Sequence, residues 1–172
     1  MEETQVILVD EQDRQLGIAG KMEAHEKGLL HRAFSIFIFN QKNELLLHQR
    51  AMGKYHSEGL WTNTCCSHPV PDESIEDACH RRLNEEMGFD TPLQFLTKFI
   101  YRAELDKGLT EHELDHVYVG YFDGEILPDK LEVADWKYVS MEEINLELAS
   151  IPEKYTAWFK LIFPTVYAHI CK

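Results

Sequence analysis

Short β-like runs alternate with helix-like ones along the whole chain, with no compositional break between them. This pattern constrains the fold more than any other feature. Val6–Val9 is β-branched and aliphatic, and Phe34–Phe39 is almost continuously apolar. The polar stretch Asn40–Asn43 then turns the chain into Leu45–His48, which predicts a hairpin. Further strands are expected at Phe99–Ala103, Leu114–Phe122 and Trp136–Val139. Between them, Ser74 to Met87 places Ile75, Ala78, Cys79 and Leu83 on one helical stripe, and Gly88 stands where a left-handed C-terminal cap is wanted. Ser140 with Glu143 predicts a capping box ahead of a short helix. Ser150 with Glu153, and Pro152 in the first turn, predicts another. It precedes the stripe Tyr155, Trp158, Phe159, Ile162, Phe163, Val166 and Ile170. Pro164 is expected to kink or interrupt that last helix. Strands interleaved with a few helices give an α/β or α+β fold, two classes that pattern alone does not separate.

No repeat, low-complexity tract or Pro/Gly-rich linker divides the chain, so residues 1–172 read as a single domain. Folding at this length buries roughly 70% of the surface the unfolded chain exposes, enough for one core. The formal charge of −13 argues against sequence-independent nucleic-acid binding, which needs clustered Lys and Arg. Any anionic ligand would need a local cationic pocket or a metal. No run approaches the ~20 apolar residues of a membrane span. The start Met1, Glu2, Glu3, Thr4 lacks the basic and apolar regions of a signal peptide, so a cytoplasmic protein with no membrane partner is expected. Cys65, Cys66, Cys79 and Cys171 form no CxxC pair, which disfavours a disulfide framework or zinc ribbon. Cys79 and Cys171 read as buried or incidental thiols.

On the Ser74–Met87 helix, Arg81 with Glu85 and Arg82 with Glu86 form two i,i+4 pairs, which alone would be a solvated ion-paired face. The wider segment resembles the Nudix box. Ser67 stands six places before Glu73, and Glu73 eight before Arg81-Arg82-Leu83-Asn84-Glu85-Glu86-Met87-Gly88-Phe89. Two residues depart from that box: Ser67 stands for its opening Gly, and Arg82 for the Glu that follows Arg. A guanidinium offers a planar fork of donors and no lone pair, so Arg82 exchanges a metal ligand for a phosphate-binding group.

The stretch Trp61-Thr62-Asn63-Thr64-Cys65-Cys66-Ser67-His68-Pro69 is similar to the signature of the Nudix-type, metal-dependent isopentenyl diphosphate isomerases, in their short bacterial-like form. In that family the same Arg departure in the box is normal. The resemblance extends over Lys21, His25, His31, Arg50-Ala51, Lys54, Tyr101-Arg102-Ala103, Glu111, Glu113 and Trp158. It implies a Nudix-type mixed β-sheet core flanked by helices. It also implies movement of a double bond, by adding a proton at the terminal methylene of isopentenyl diphosphate and removing one beside the oxymethylene carbon.

If Cys66 to His68 is extended, the side chains of Cys66 and His68 share a face while Cys65 points away, which selects Cys66 as the working thiol. Glu111, Glu113 and Asp115 share a face by the same rule. The resemblance implies Cys66 and Glu113 as the proton-transfer pair, with Tyr101 tuning Glu113 and the Trp158 ring stabilising a cation. Its metal site would combine His25, His31, His68, Glu111 and Glu113, a set suited to Mn²⁺, Zn²⁺ or Fe²⁺. The diphosphate would lie against Lys21, Arg50, Lys54 and Arg82, with Mg²⁺ bridging it to Glu86. His48, His56, His80, His112, His116 and His169 are expected to be structural. A Nudix pyrophosphohydrolase and a non-catalytic binding module are the alternatives.

Overall fold

A computed structural model describes residues 3–172; the Met1-Glu2 start, which bears on the signal-peptide expectation, lies outside the described residues. The strands are β1 (Gln5–Val9), β2 (Gln15–Gly20), β3 (His31–Phe39), β4 (Glu44–Arg50), β5 (Trp61–Thr62), β6 (Cys65–Ser67), β7 (Leu93–Glu104), β8 (Thr110–Tyr121) and β9 (Val133–Ser140). The helices are α1 (Lys21–Lys27), α2 (Ile75–Met87), α3 (Met141–Ser150) and α4 (Ala157–Ile170). Among the described residues the strands form one mixed sheet, which settles the fold as α+β.

The central strand is β3. It runs parallel to β8 from His31↔Glu113 to Phe39↔Tyr121. Its other edge is shared by β1 at His31, β6 at Phe34–Ile36 and β4 at Phe39. Strand β7 extends the sheet beyond β8, and β9 pairs along β4. The near-continuous apolar run of β3 follows from burial on both faces. Phe34, Ile36 and Ile38 pack under α2 with Ala78, Cys79, Leu83 and Met87. Phe37 and Phe39 face the opposite side and pack with Ile144, Trp158, Phe159, Phe163 and Val166 of α3 and α4. Because side chains alternate, His31 and Ser35 point to the α4 side, and that end of the sheet holds the candidate site.

Helix α2 begins where its sequence says: Ser74 Oγ accepts from the Asp77 N–H at 3.1 Å. It ends on Gly88, at φ 76°, whose N–H reaches Asn84 O. A Cβ at Gly88 would meet Leu127 O at 2.2 Å. Gly88→Ala should therefore cost more than the ~1–2 kcal/mol of a left-handed conformation alone. A urea midpoint equal to the parent's would refute this. Ser140 caps α3 in the same way, accepting from the Glu143 N–H at 3.2 Å.

The expected cap at Ser150 is not formed. Ser150 closes α3 and donates back to Leu146 O at 2.9 Å, Pro152–Lys154 makes a single 3-10 turn, and Thr156 caps α4 instead. The expected interruption at Pro164 is absent too: α4 runs unbroken from Ala157 to Ile170. A helix-interior proline costs ~3 kcal/mol or more. Burial of Phe163 and Val166 contributes roughly 1.5–3 kcal/mol each and offsets it, while Pro164 itself lies on the exposed face.

Candidate active site

The α4 face of the sheet ends in a buried cluster of imidazoles and carboxylates. His31 is the first residue of β3, and Glu113 of β8 lies directly beside it in register, with Glu111 two residues earlier on the same strand. His25 comes from α1 and His68 from just beyond β6. Both His25 and His31 are 0% exposed, and His25, His31, His68 and Glu111 each bring one ligand atom within 4.8 Å of the others. Glu113 joins them, with Oε2 2.7 Å from His68 Nε2 and 3.2 Å from His31 Nε2. All five expected ligands are therefore brought together.

Their hydrogen bonds show what such a cluster is suited to hold. His25 Nδ1–H donates to Lys21 O at 2.6 Å and His31 Nδ1–H to Leu29 O at 2.8 Å, because a carbonyl can only accept. In the neutral form of either ring Nε2 is then a lone pair, and each faces a carboxylate: His25 Nε2 lies 3.2 Å from Glu111 Oε1. Lone pair against lone pair is repulsive unless a cation lies between. His31 Nε2 and Glu111 Oε2 are in fact buried with no hydrogen-bond partner. The donor set fits a divalent metal, and the carbonyl contacts fix the histidine tautomers as in known metal sites. Burial raises the Glu111 carboxyl, but the imidazoles of His25 and His56 hold it well below the usual range. Burial drives His68 down to about 4, so its ring is neutral near pH 7.

Cys66 sits next to this cluster. It pairs with Ser35 and faces the site, whereas Cys65 pairs with Ile36 and is fully buried in the α2 core. The Cys66 thiol donates to Asn63 Oδ1 at 3.0 Å and accepts from the Trp158 indole N–H at 3.1 Å. Burial first, and then the Asp115 carboxylate, push the thiol far up, so it keeps its proton. Tyr101, opposite Glu113 on β7, donates its hydroxyl to Glu113 Oε1. Cys66, Glu113, Trp158 and Phe34 line one small pocket.

An adjoining polar pocket shares Arg50, Tyr55, Cys66 and His68 with this one and is lined also by Lys21, Lys54, Arg82, Glu86 and Glu132. Four cations thus gather on a chain of charge −13. Lys21 Nζ stands 4.2 Å from the Tyr55 ring centroid. Burial, then the neighbouring Lys54 charge, lower the Lys21 ammonium to about 8. Arg82 donates to Glu86 Oε1 at 2.5 Å, and Lys54 to Glu132 Oε2 at 2.6 Å. Arg81 is engaged elsewhere, in a two-pronged contact with Glu73 at 2.7 and 2.8 Å.

Sequence reasoning did not single out Tyr55, His56 or Glu132. Tyr55 and His56 directly follow Lys54, and that adjacency was the one available signal. Of the histidines read as structural, His48, His80, His112 and His116 do serve local contacts: His48 Nδ1–H donates to Thr64 O at 2.8 Å, and His80 pairs with Asp90 at 2.6 Å. His112 faces Gly28 O at 3.0 Å, and His116 pairs with Asp13 at 2.9 Å. His56 does not fit that description.

This architecture of mixed sheet, box-bearing helix and metal-suited cluster defines a Nudix-fold protein, and the NUDIX domain sequence model matches residues 29–159. A solved structure, DR0079 of Deinococcus radiodurans, superposes with a TM-score of 0.79 over 95% of this chain and 99% of that one, at 16% identity, which is a likeness of fold. The MutT protein of Methanosarcina mazei gives 0.68 over 83% of this chain and 96% of its own, at 21% identity. Closer in sequence is the "Isopentenyl-diphosphate Delta-isomerase" of Pectobacterium atrosepticum, 52% identical over 95% of this chain and 91% of that protein. The "Isopentenyl-diphosphate Delta-isomerase 2" of Photorhabdus laumondii is 52% identical over 91% of this chain and 89% of its own length. The chain belongs to the bacterial Nudix-type isopentenyl-diphosphate Delta-isomerases.

Proposed function

We propose that residues 1–172 act as a single isomerase domain that converts isopentenyl diphosphate to dimethylallyl diphosphate. The observation that carries this reading is a pair of adjoining pockets that share Arg50, Tyr55, Cys66, Ser67 and His68: one sets Cys66 and Glu113 beside Trp158, and the other gathers Lys21, Arg50, Lys54 and Arg82. The four cations Lys21, Arg50, Lys54 and Arg82 bind the diphosphate. This leaves the isopentenyl group directed at Phe34 and Trp158. Cys66 and Glu113 then act at its two ends: one gives a proton to the terminal methylene, the other takes one from the carbon beside the oxymethylene. Between those transfers a tertiary cation must survive. The Trp158 ring face can stabilise it by up to ~2 kcal/mol in a dry site, and the buried walls exclude the water that would trap it.

His25, His31, His68, Glu111 and Glu113 would hold a Mn²⁺, Zn²⁺ or Fe²⁺ ion, and Glu86 a Mg²⁺ that arrives with the diphosphate. Such ions supply positive charge that sets the proton affinity of Glu113 and offsets the charge of the diphosphate. Tyr101 orients Glu113 through its hydroxyl. The four cysteines are free thiols, and a working Cys66 needs its proton, which supports a reducing, cytoplasmic location. No described helix is long and apolar enough to cross a membrane.

Arg82 separates this reading from pyrophosphate hydrolysis. Arg82→Glu restores the carboxylate of the hydrolase box but removes a diphosphate donor and places a third carboxylate beside Glu86 and Glu132. Isomerisation should fall mainly through a raised KM, with no efficient phosphate release. Rapid release of inorganic phosphate by this variant would favour the hydrolase reading.

A further inference from the structure

His56 lies in the loop between β4 and β5, yet it is 1% exposed. Its Nε2 stands 2.9 Å from Glu111 Oε1, off the line a hydrogen bond needs, and has no other partner. A buried ring nitrogen left in this way is costly unless the site uses it.

The tautomers indicate that use. His25 and His31 commit their Nδ1–H to backbone carbonyls, so they offer lone pairs at Nε2 and no proton. His25 Nε2 therefore gives Glu111 Oε1 no donor. His56 is built differently: its Nδ1 meets the Ser57 hydroxyl at 3.1 Å, a group that can give its proton to that nitrogen. The ring then keeps its own proton on Nε2, facing Glu111. The loop is constrained to hold this aim. Ser57 adopts φ 52°, uncommon for a residue with a side chain, and its N–H donates to Asp106 Oδ1 at 2.9 Å. The His56 carbonyl accepts from Arg50 at 3.1 Å. The Tyr55 and Trp158 rings flank the imidazole edge-on at 4.2 and 5.7 Å.

We propose that His56 is a positioning residue of the metal centre, whose Nε2–H turns onto Glu111 Oε1 when an ion is bound and fixes the orientation of that carboxylate. The proposal rests on the reading of the His/Glu cluster as a metal site. Partners that orient a ligand in this way typically change metal affinity ~10–100-fold when removed.

The test is titration of the chelator-treated, full-length protein with Co²⁺ alone, followed by calorimetry and visible absorption. His56→Phe, which keeps a ring between Tyr55 and Trp158, should weaken binding ~10–100-fold while the saturated spectrum stays that of the parent. His56→Gln, with an amide N–H near the Nε2 position, should recover most of the affinity. Unchanged affinity in folded His56→Phe would overturn the proposal. So would an altered saturated spectrum, which would make His56 a ligand itself. A measurement free of variants stands beside these: long-range ¹⁵N–¹H spectra of the Zn²⁺-loaded parent should show His56 as the Nε2–H tautomer and His25 and His31 as Nδ1–H. The opposite tautomer at His56 overturns the proposal whatever the variants do. A parent chain that binds no Co²⁺ would remove the metal centre itself, a failure distinct from these.

Discussion

Cys66→Ser should slow isomerisation by ~10²–10⁴-fold or more, the usual contribution of a general acid–base group, while KM changes little. The substitution is nearly isosteric, and a hydroxyl is a much weaker acid than a thiol. Its neighbours Asn63 and Trp158 can make the same contacts to an oxygen, so the fold has no reason to move. In the proposed reading diphosphate affinity comes from the charges of Lys21, Arg50, Lys54 and Arg82, which Cys66→Ser leaves in place, so binding and chemistry should separate. Cys65→Ser is the matched control. It exchanges a buried thiol beside the α2 core for a hydroxyl that the Glu86 carboxylate can accept from, and it leaves Cys66 and Glu113 in place. Steady-state kinetics on both variants checks this. A near-parental rate for Cys66→Ser beside a lost rate for Cys65→Ser would reverse the assignment of the working thiol.

Removal of the divalent ion should abolish turnover and lower stability together. Without a cation, the lone pairs of His25 and His31 face Glu111 and Glu113 in a buried cluster. An ion present at a hundredfold its dissociation constant adds ~2.7 kcal/mol to the folded state. For a chain of this size that is a rise of about 5–10 °C in Tm. Differential scanning calorimetry of chelated and Mn²⁺- or Zn²⁺-reloaded protein, with rates from the same samples, tests both halves. Full turnover in metal-free protein, or an unshifted Tm on reloading at saturating ion, would contradict this account of the cluster.

Period two was the most productive rule in the sequence. It put Cys66 and His68 on one face, Cys65 on the other, and Glu111 with Glu113 on a single strip, because β6 and β8 are extended there. The polar start of β8 did not read as strand, since its alternate residues are the carboxylates of the site rather than apolar groups. Strand β7 was recognised only over Phe99–Ala103, although it begins at Leu93, because Gln94 and Lys98 interrupt the apolar pattern on an exposed face. Helix α1 is not legible in the sequence: with seven residues it is too short for a periodic stripe, its N-terminus has no side-chain cap, and only Gly28 marks its end. The false cap at Ser150 had the correct residues, but the chain spends them on closing α3. Glu132 carries no local signal and His56 only its adjacency to Lys54, because their partners, Lys54 and Glu111, are far away in sequence.

The central claim is a double-bond shift without loss of phosphate. Its most direct test is incubation of the purified protein with isopentenyl diphosphate and Mg²⁺, with and without chelator, followed by identification of the products. Dimethylallyl diphosphate should form without chelator, with no inorganic phosphate, and should be absent from the chelated sample. Unchanged isopentenyl diphosphate in the metal-replete sample, or phosphate as the main product, would contradict the account.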